Sequence, residues 1–287
     1  MHAESAVPPS QGRGAALAWS IASILLTAVL VLLWVFPLLW ALSTSLRPEE
    51  ETVQQPLRWL PQEWTLKAFS NILSTGSLPT WMFNSIVTSV AVTALTVLIS
   101  VMAAYAFSQL RFRGRGIFFF MAMVGVMFPF EALLIPLFRL MHQLGAIDTL
   151  AGIVLPQIVS PMAIYVFRNF FDAIPKDFRE AAIMEGANEF QVLWNVYVPI
   201  SANILWAMAI IVFIGAWNNF LWPFIVITSP DMMTVPVGLT QIQDAFGVRY
   251  AQTMAAALLG GAPVAIAYLL FQKRVTQGFL AATGLKG

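Results

Sequence analysis

The chain has 287 residues, 59% of them apolar and 10% charged, with a net charge of +1, no cysteine and a mean hydropathy of +0.77. A water-soluble domain is about 45–50% apolar and about a quarter charged, so this composition excludes a soluble globular fold. The small net charge argues against nucleic acid as a partner, and the missing cysteines exclude disulfides and thiolate-bound metals.

Charge-free runs cover 14–46, 68–110, 116–130, 149–167, 190–230 and 250–272. A helical crossing of the hydrocarbon core takes about 20 apolar residues, and each run holds one, the third by extending past Glu131. The expected fold is an all-α polytopic membrane protein of six transmembrane helices near 17–42, 81–108, 116–141, 150–171, 202–227 and 251–272. Residues 1–16 form a polar N-terminal tail rich in Pro, Ser and Gly, 17–272 the membrane domain, and 273–287 a C-terminal tail. The first apolar run is too long for a signal-peptide core and lacks a small-residue cleavage site, so it is expected to be retained.

With six spans, Arg13, Arg111, Arg113, Arg115, Arg168, Lys176, Arg179, Lys273, Arg274 and Lys286 fall on one side. Arg47, Arg58, Lys67, Arg139 and Arg249 fall on the other. This asymmetry places both termini in the cytoplasm. The 43–80 segment then lies outside and 172–201 inside. Anchoring by the positive-inside bias also accounts for the Arg111, Arg113, Arg115 cluster.

Within the 172–201 segment, residues 176–199 form the only long polar stretch in the second half. Asp177 precedes Glu180 by three residues, and Asn188 precedes Gln191 by three; both pairs match a capping box. Gly186 between them suits the left-handed residue that ends a helix, and Pro199 suits a first helical turn. The expectation is two short helices joined by a glycine turn and leading into span five. Phe178, Ala181, Ala182 and Glu185 share one face of the first helix, and the alanines leave room for another protein to approach. A headgroup-resting amphipathic helix, with Glu180 serving only as a cap, is the competing reading. Such helices usually carry Lys or Arg, whereas this one carries Glu180, Glu185 and Glu189.

Glu180-Ala181-Ala182, then Gly186, then Val196-x-Val198-Pro199, resembles the EAA loop of bacterial ABC importer permeases; family members usually have Ile and Leu where Val196 and Val198 stand here. Gly145-Ala-Ile-Asp148-Thr149, the run Ala216 to Pro223, and the C-terminal Gly278 to Gly287 are similar to the carbohydrate-importer branch, the relatives of the smaller maltose permease subunit. That branch commonly has aspartate at the position of Asn219, and its tail is one residue shorter. The resemblance implies a type I ABC importer permease, multi-pass in a prokaryotic cytoplasmic membrane and itself non-catalytic. It implies as partners a homologous second permease subunit, an ATP-binding subunit dimer that carries the ATP and Mg, and an extracytoplasmic solute-binding protein. It also implies that Phe178, Glu180, Ala181, Ala182, Gly186 and Pro199 couple the chain to the ATPase, with Glu180 meeting a basic residue there. The tail would reach toward the ATPase dimer, and loops 43–80 and 229–250 would receive the binding protein.

Within the spans, ionisable and polar groups mark a pathway or a partner. Glu131 follows Pro129 in the outer part of span three, either snorkelling to the interface or touching substrate or partner. Trp217, Asn218, Asn219 and Trp222 combine aromatic faces with amides, as a sugar site does; equally, Asn bridges helices and Trp favours interfaces. Asn84, Ser85 and Gln157 are further polar positions. The chain has no phosphate loop, no nucleophile elbow and no paired carboxylates suited to hydrolysis, and His2 and His142 make no metal site. The cofactor expectation is therefore none in this chain. The solute could also be of glycerophosphate type, and an ion-coupled secondary transporter is the alternative class.

Overall fold

The computed structural model describes residues 11–56, 58–74, 77–244 and 247–283, with side chains from 17 onward, excluding 243–247 and 273–283. In chain order the helices are α1 (Gln11–Ser45), α2 (Glu49–Thr52), α3 (Lys67–Ser74), α4 (Leu78–Gln109), α5 (Arg115–Val124), α6 (Phe130–Gln143), α7 (Leu150–Val154) and α8 (Pro161–Asp172). They continue with α9 (Asp177–Met184), α10 (Glu189–Val192), a π turn (Leu193–Tyr197), α11 (Val198–Ile200), α12 (Ala202–Trp217), α13 (Leu221–Val226), α14 (Val235–Gly238) and α15 (Tyr250–Thr283). A two-residue antiparallel pair, β1 (Gln243–Asp244) with β2 (Gly247–Val248), precedes α15. The roles expected of the N-terminal tail and of the tail's last residues fall outside the described residues.

Among the described residues three helices are long and apolar enough to cross a membrane unbroken: Leu17–Ser45, Leu78–Gln109 and Tyr250–Gln272. Three further candidates are bent: Arg115–Met127 with Phe130–Gln143 by 104°, Leu150–Gln157 with Pro161–Asp172 by 47°, and Glu189–Ile200 with Ala202–Trp217 by 83°. The expectation of single helices over 116–141, 150–171 and 202–227 is thus corrected: each is interrupted. Span three turns at Phe128-Pro129, where Phe128 is extended (φ −82°, ψ 123°) because a residue before proline is driven from the helical region. With its terminal 3-10 turn α5 rises only about 20 Å, short of the ~30 Å hydrocarbon core. In span five α12 ends at Trp217, and Asn218 to Phe220 separate it from α13.

The chain divides into two compact units. One comprises residues up to Ser70 together with Arg249–Leu258. In it no residue of the apolar stretch of α1 is buried, while the loop that follows is tightly held. Arg47, 2% exposed, donates to the carbonyls of Arg58 (3.2 Å) and Trp59 (3.3 Å) and to Ser43 Oγ (2.9 Å). Its guanidinium also faces the Trp40 ring at 5.5 Å. Glu51 accepts from the Gln62 amide, and Glu49 accepts from the Ala251 amide at 3.0 Å, capping the first turn of α15.

The second unit comprises Asn71–Val248 and the rest of α15, and α4 is its axis, packing along α8 and α12. Asn84, Ser85, Thr88, Ser89, Thr96 and Ser100 are all buried along α4. Small polar residues let membrane helices approach closely, and that is the role of Asn84 and Ser85 here. Asn84 Nδ2 donates to the carbonyls of Asp231 (2.8 Å) and Met233 (2.9 Å), and Ser85 Oγ accepts from the Val235 amide. Trp81 donates to the Pro230 carbonyl at 3.0 Å and covers Gly238. A methyl group on Gly238 would overlap the Trp81 indole. Gly238→Ala is therefore expected to destabilise the protein by about 1–3 kcal/mol, read as a lowered thermal midpoint in detergent; an unchanged midpoint would contradict this packing.

Candidate functional site

Two regions of the second unit bring polar side chains together. The first is the segment after α8. The Asn188 capping box is present: Asn188 Oδ1 accepts from the Gln191 amide, and Gln191 Oε1 accepts from the Asn188 amide, both at 2.9 Å. The expected box between Asp177 and Glu180 is not, because α9 already includes Asp177 and its cap position is Lys176, without a side-chain bond. Asp177 instead places a carboxylate in the first turn, where the helix dipole favours it. Gly186 sits at φ +90°, the left-handed turn between α9 and α10. Pro199 lies in the first turn of α11, and the chain bends at Ser201 into α12.

An ion pair closes this segment into one body. Arg179 on α9 bonds Glu189 on α10 through both Nε and Nη2. Tyr105 near the end of α4 donates its hydroxyl to Glu189 Oε2 at 2.6 Å. The Glu189 hydrogen bond raises the Arg179 pKa. Burial pushes Glu189 up, but hydrogen bonds from Arg179 and Tyr105 outweigh it and hold the carboxyl below its ordinary value. Beneath, Tyr105, Phe171 and Tyr197 meet edge to face with centroids 5.1–6.5 Å apart, in a buried cluster that Ala182 also joins. On the outer side Phe178 (52% exposed), Met184 (88%) and Phe190 (61%) present apolar surface, and Glu180, Ala181 and Glu185 are exposed. Beside them lies a depression of about 340 Å³ lined by Ala182, Glu185, Gly186, Gln191 and Val196, among others.

The second region is a cleft of about 410 Å³ where three broken helices meet, lined among others by Gly125, Phe128, Gln157, Ser160 and Asn219. Asn219 Nδ2 donates to Gln157 Oε1 at 2.7 Å, Gln157 Nε2 donates to the Ile153 carbonyl, and Ser160 Oγ caps α8 through the Ala163 amide. Of the aromatic-amide cluster, only Asn219 lines this cleft. Trp217 and Trp222 are 3% and 0% exposed, and their indole N–H groups donate to the carbonyls of Gly260 and Gly152. Both rings are packed inside the protein and neither lines this cleft, so of the two readings of these tryptophans the arrangement here is the packing one. Asn218 is exposed and bonds back to the Ile214 carbonyl. Glu131 is exposed in the first turn of α6, just past the Pro129 bend. Among the described residues no three His, Asp or Glu side chains converge as a metal would need.

Asp148, in the Gly145–Thr149 motif, is left-handed at φ 59°. Its carboxylate accepts from the amides of Thr228 (3.0 Å) and Ser229 (2.9 Å) and from the Ser229 hydroxyl. Trp222 and Asp148 thus pin both ends of α13 to the α7 region, a role that only three-dimensional pairing reveals.

Apolar broken spans, an exposed bracket between two of them and a cleft where the breaks meet are the features of a membrane permease. Residues 96–278 match the family model described as a binding-protein-dependent transport system inner membrane component, and the chain belongs to that family. It is 35% identical over 263 residues to the arabinooligosaccharides transport system permease protein AraQ of Halalkalibacterium halodurans, covering 91% of this chain and 94% of that one. It is also 35% identical to the sulfoquinovosyl glycerol transport system permease protein SmoH of Agrobacterium fabrum, covering 91% and 92%. The trehalose/maltose transport system permease protein MalG of Thermococcus litoralis is 32% identical, covering 90% and 94%. A chain in the crystal structure of a bacterial ABC transporter involved in the import of the acidic polysaccharide alginate superposes with a TM-score of 0.81 at 25% identity, covering 94% of this chain and 99% of that one. The family places the chain in the prokaryotic inner membrane as a non-catalytic subunit.

Hydrogen bonds from the Ser229 hydroxyl, then from the Ser229 amide, hold the Asp148 carboxyl below the usual carboxylate range. Its contribution is complete above the unfolded value near 3.9 and is lost as pH falls through the lower folded value. Asp148→Asn is expected to cost about 2 kcal/mol at neutral pH. The thermal midpoints of variant and parent should converge below about pH 4; a gap independent of pH would show that the charge is irrelevant.

Proposed function

We propose that the chain is the permease subunit of a sugar ABC importer, taking an oligosaccharide or sugar-like glycoside across the membrane by ATP-driven alternating access. Both termini and the α9–α11 bracket face the cytoplasm, in line with the distribution of lysine and arginine. The bracket docks on an ATP-binding subunit dimer that carries the ATP and Mg, beside a second, homologous permease. A solute-binding protein approaches from outside, over residues 43–80 and 229–250. The relatives' sugar and glycoside substrates support the solute class, and so does the cleft, whose Gln157, Ser160 and Asn219 offer amides and hydroxyls without charge. Family membership sets aside a stand-alone ion-coupled carrier.

The observation that carries this reading is an exposed apolar tip on a charged, stiffened bracket. Phe178, Met184 and Phe190 project from a segment rich in Glu, a poor match to an anionic leaflet but a good one to a protein groove. Phe178, Glu180, Ala181, Ala182 and Gly186 form the docking element, with Pro199 starting the turn into α12. Arg179, Glu189 and Tyr105 tie that element to α4, so a displacement of the tip is delivered to the axis of the permease unit. Rigid-body alternation of this kind needs contacts that differ between two states.

Three tests follow from this geometry. A methyl group on Gly186 would touch nothing within 4 Å, so Gly186→Ala probes the left-handed backbone alone, a strain of roughly 1–2 kcal/mol. Gly186→Leu adds bulk at the tip and is expected to abolish ATP-driven sugar uptake in vesicles while membrane insertion is retained; normal uptake would refute docking. Tyr105→Phe removes one charge-assisted bond and is expected to lower sugar imported per ATP hydrolysed roughly tenfold, and unchanged coupling would show the tie to be idle. Asn219→Ala should shift the sugar concentration giving half-maximal uptake, measured over a panel of labelled oligosaccharides, and an identical dose–response would remove Asn219 from the pathway.

A further inference from the structure

A second, larger cleft of about 1130 Å³ opens where the ends of α4 and α8 meet the start of α5 and α9. Its walls carry five cations, Arg111, Arg115, Arg168, Lys176 and Arg179, against three carboxylates. Two of the carboxylates are engaged within the wall: Asp172 by Arg168 at 3.4 Å and Glu189 by Arg179. That leaves Arg111, Arg115 and Lys176 opposite Glu180. Arg115 is held in place by donating to the Ser108 and Leu110 carbonyls, whereas Arg111 and Lys176 have no partner among the described residues. Arg168 also faces the Phe119 ring, its guanidinium carbon 3.9 Å from the ring centroid. Beside the cleft, α5 buries none of its residues, and Ile117, Phe118, Phe120 and Met121 are 57–67% exposed. A cationic basin beside an apolar helix face, at the inner boundary of the membrane, has the chemistry of a headgroup site with its acyl chains alongside.

We propose that this cleft binds the phosphodiester headgroup of an anionic phospholipid from the cytoplasmic leaflet, gripped by Arg111, Arg115 and Lys176. The inference rests on the cytoplasmic orientation proposed above but not on coupling, since the readout is lipid occupancy rather than transport.

The test uses the assembled transporter in nanodiscs of equimolar phosphatidylcholine and phosphatidylglycerol, with retained lipid counted by native mass spectrometry. Retention of phosphatidylglycerol over phosphatidylcholine is expected. Arg111→Gln and Lys176→Gln should each weaken it roughly fivefold, near 1 kcal/mol per surface cation. Arg113→Gln, which removes the same charge outside the cleft, should not. Arg111→Lys and Lys176→Arg keep the charge and should retain the lipid, separating headgroup binding from misassembly. An equal loss in Arg113→Gln, or no preference between the two lipids, would overturn the proposal. Displacement of the lipid by inorganic phosphate would assign the cleft to a free anion, and retention only after the ATPase is stripped would assign it to an acidic segment of that partner; either result would also overturn it.

Discussion

Hydrocarbon offers a backbone no hydrogen bonds, so a helix can break inside a membrane only where protein groups or a cavity satisfy what the break exposes. That constraint organises the second unit. The three interruptions, at 125–129, 157–160 and 218–220, fall around one cleft, and each has a local remedy. Pro129 has no amide to satisfy, Ser160 caps the helix that resumes after it, and the Asn219 side chain accepts from the Trp222 amide at 3.4 Å. The cleft is thus where the fold concentrates its irregular backbone.

The bracket after α8 solves a different problem. It is only two short helices, each below the length at which an isolated helix persists in water. Its stiffness comes from closure: a capping box, an ion pair across the glycine turn, and aromatic rings beneath. The π turn at Leu193–Tyr197 directs Leu193 and Tyr197 into the core before α12 begins. Holding α9 and α10 to each other and to α4 makes the segment one piece while leaving its apolar tip free.

Much of this was legible in the residues. The charge-free runs mark all six hydrophobic elements, and Asn188-x-x-Gln191 with Gly186 fixes the bracket, because capping and left-handed turns are local chemistry. What was not legible depended on partners far along the chain. Asp177 and Asn188 look alike three residues before Glu180 and Gln191, but the path of the chain out of α8 had already made Asp177 helical. Trp217 and Trp222 carry the residue types of a sugar site, and only their pairing with Gly260 and Gly152 shows them buried. Glu189 reads as one more surface carboxylate until Tyr105, 84 positions away, is found against it. The sharp turn in span three was written in Pro129, but a proline alone does not distinguish a kink from a reversal.

The loop after α1 has one more consequence. Arg47 spends its guanidinium on the carbonyls of Arg58 and Trp59, leaving Trp59, Leu60 and Trp64 standing 62–68% exposed on a scaffold that is already set. A macromolecule arriving at those rings finds its landing ground preformed, so little ordering entropy is lost on contact.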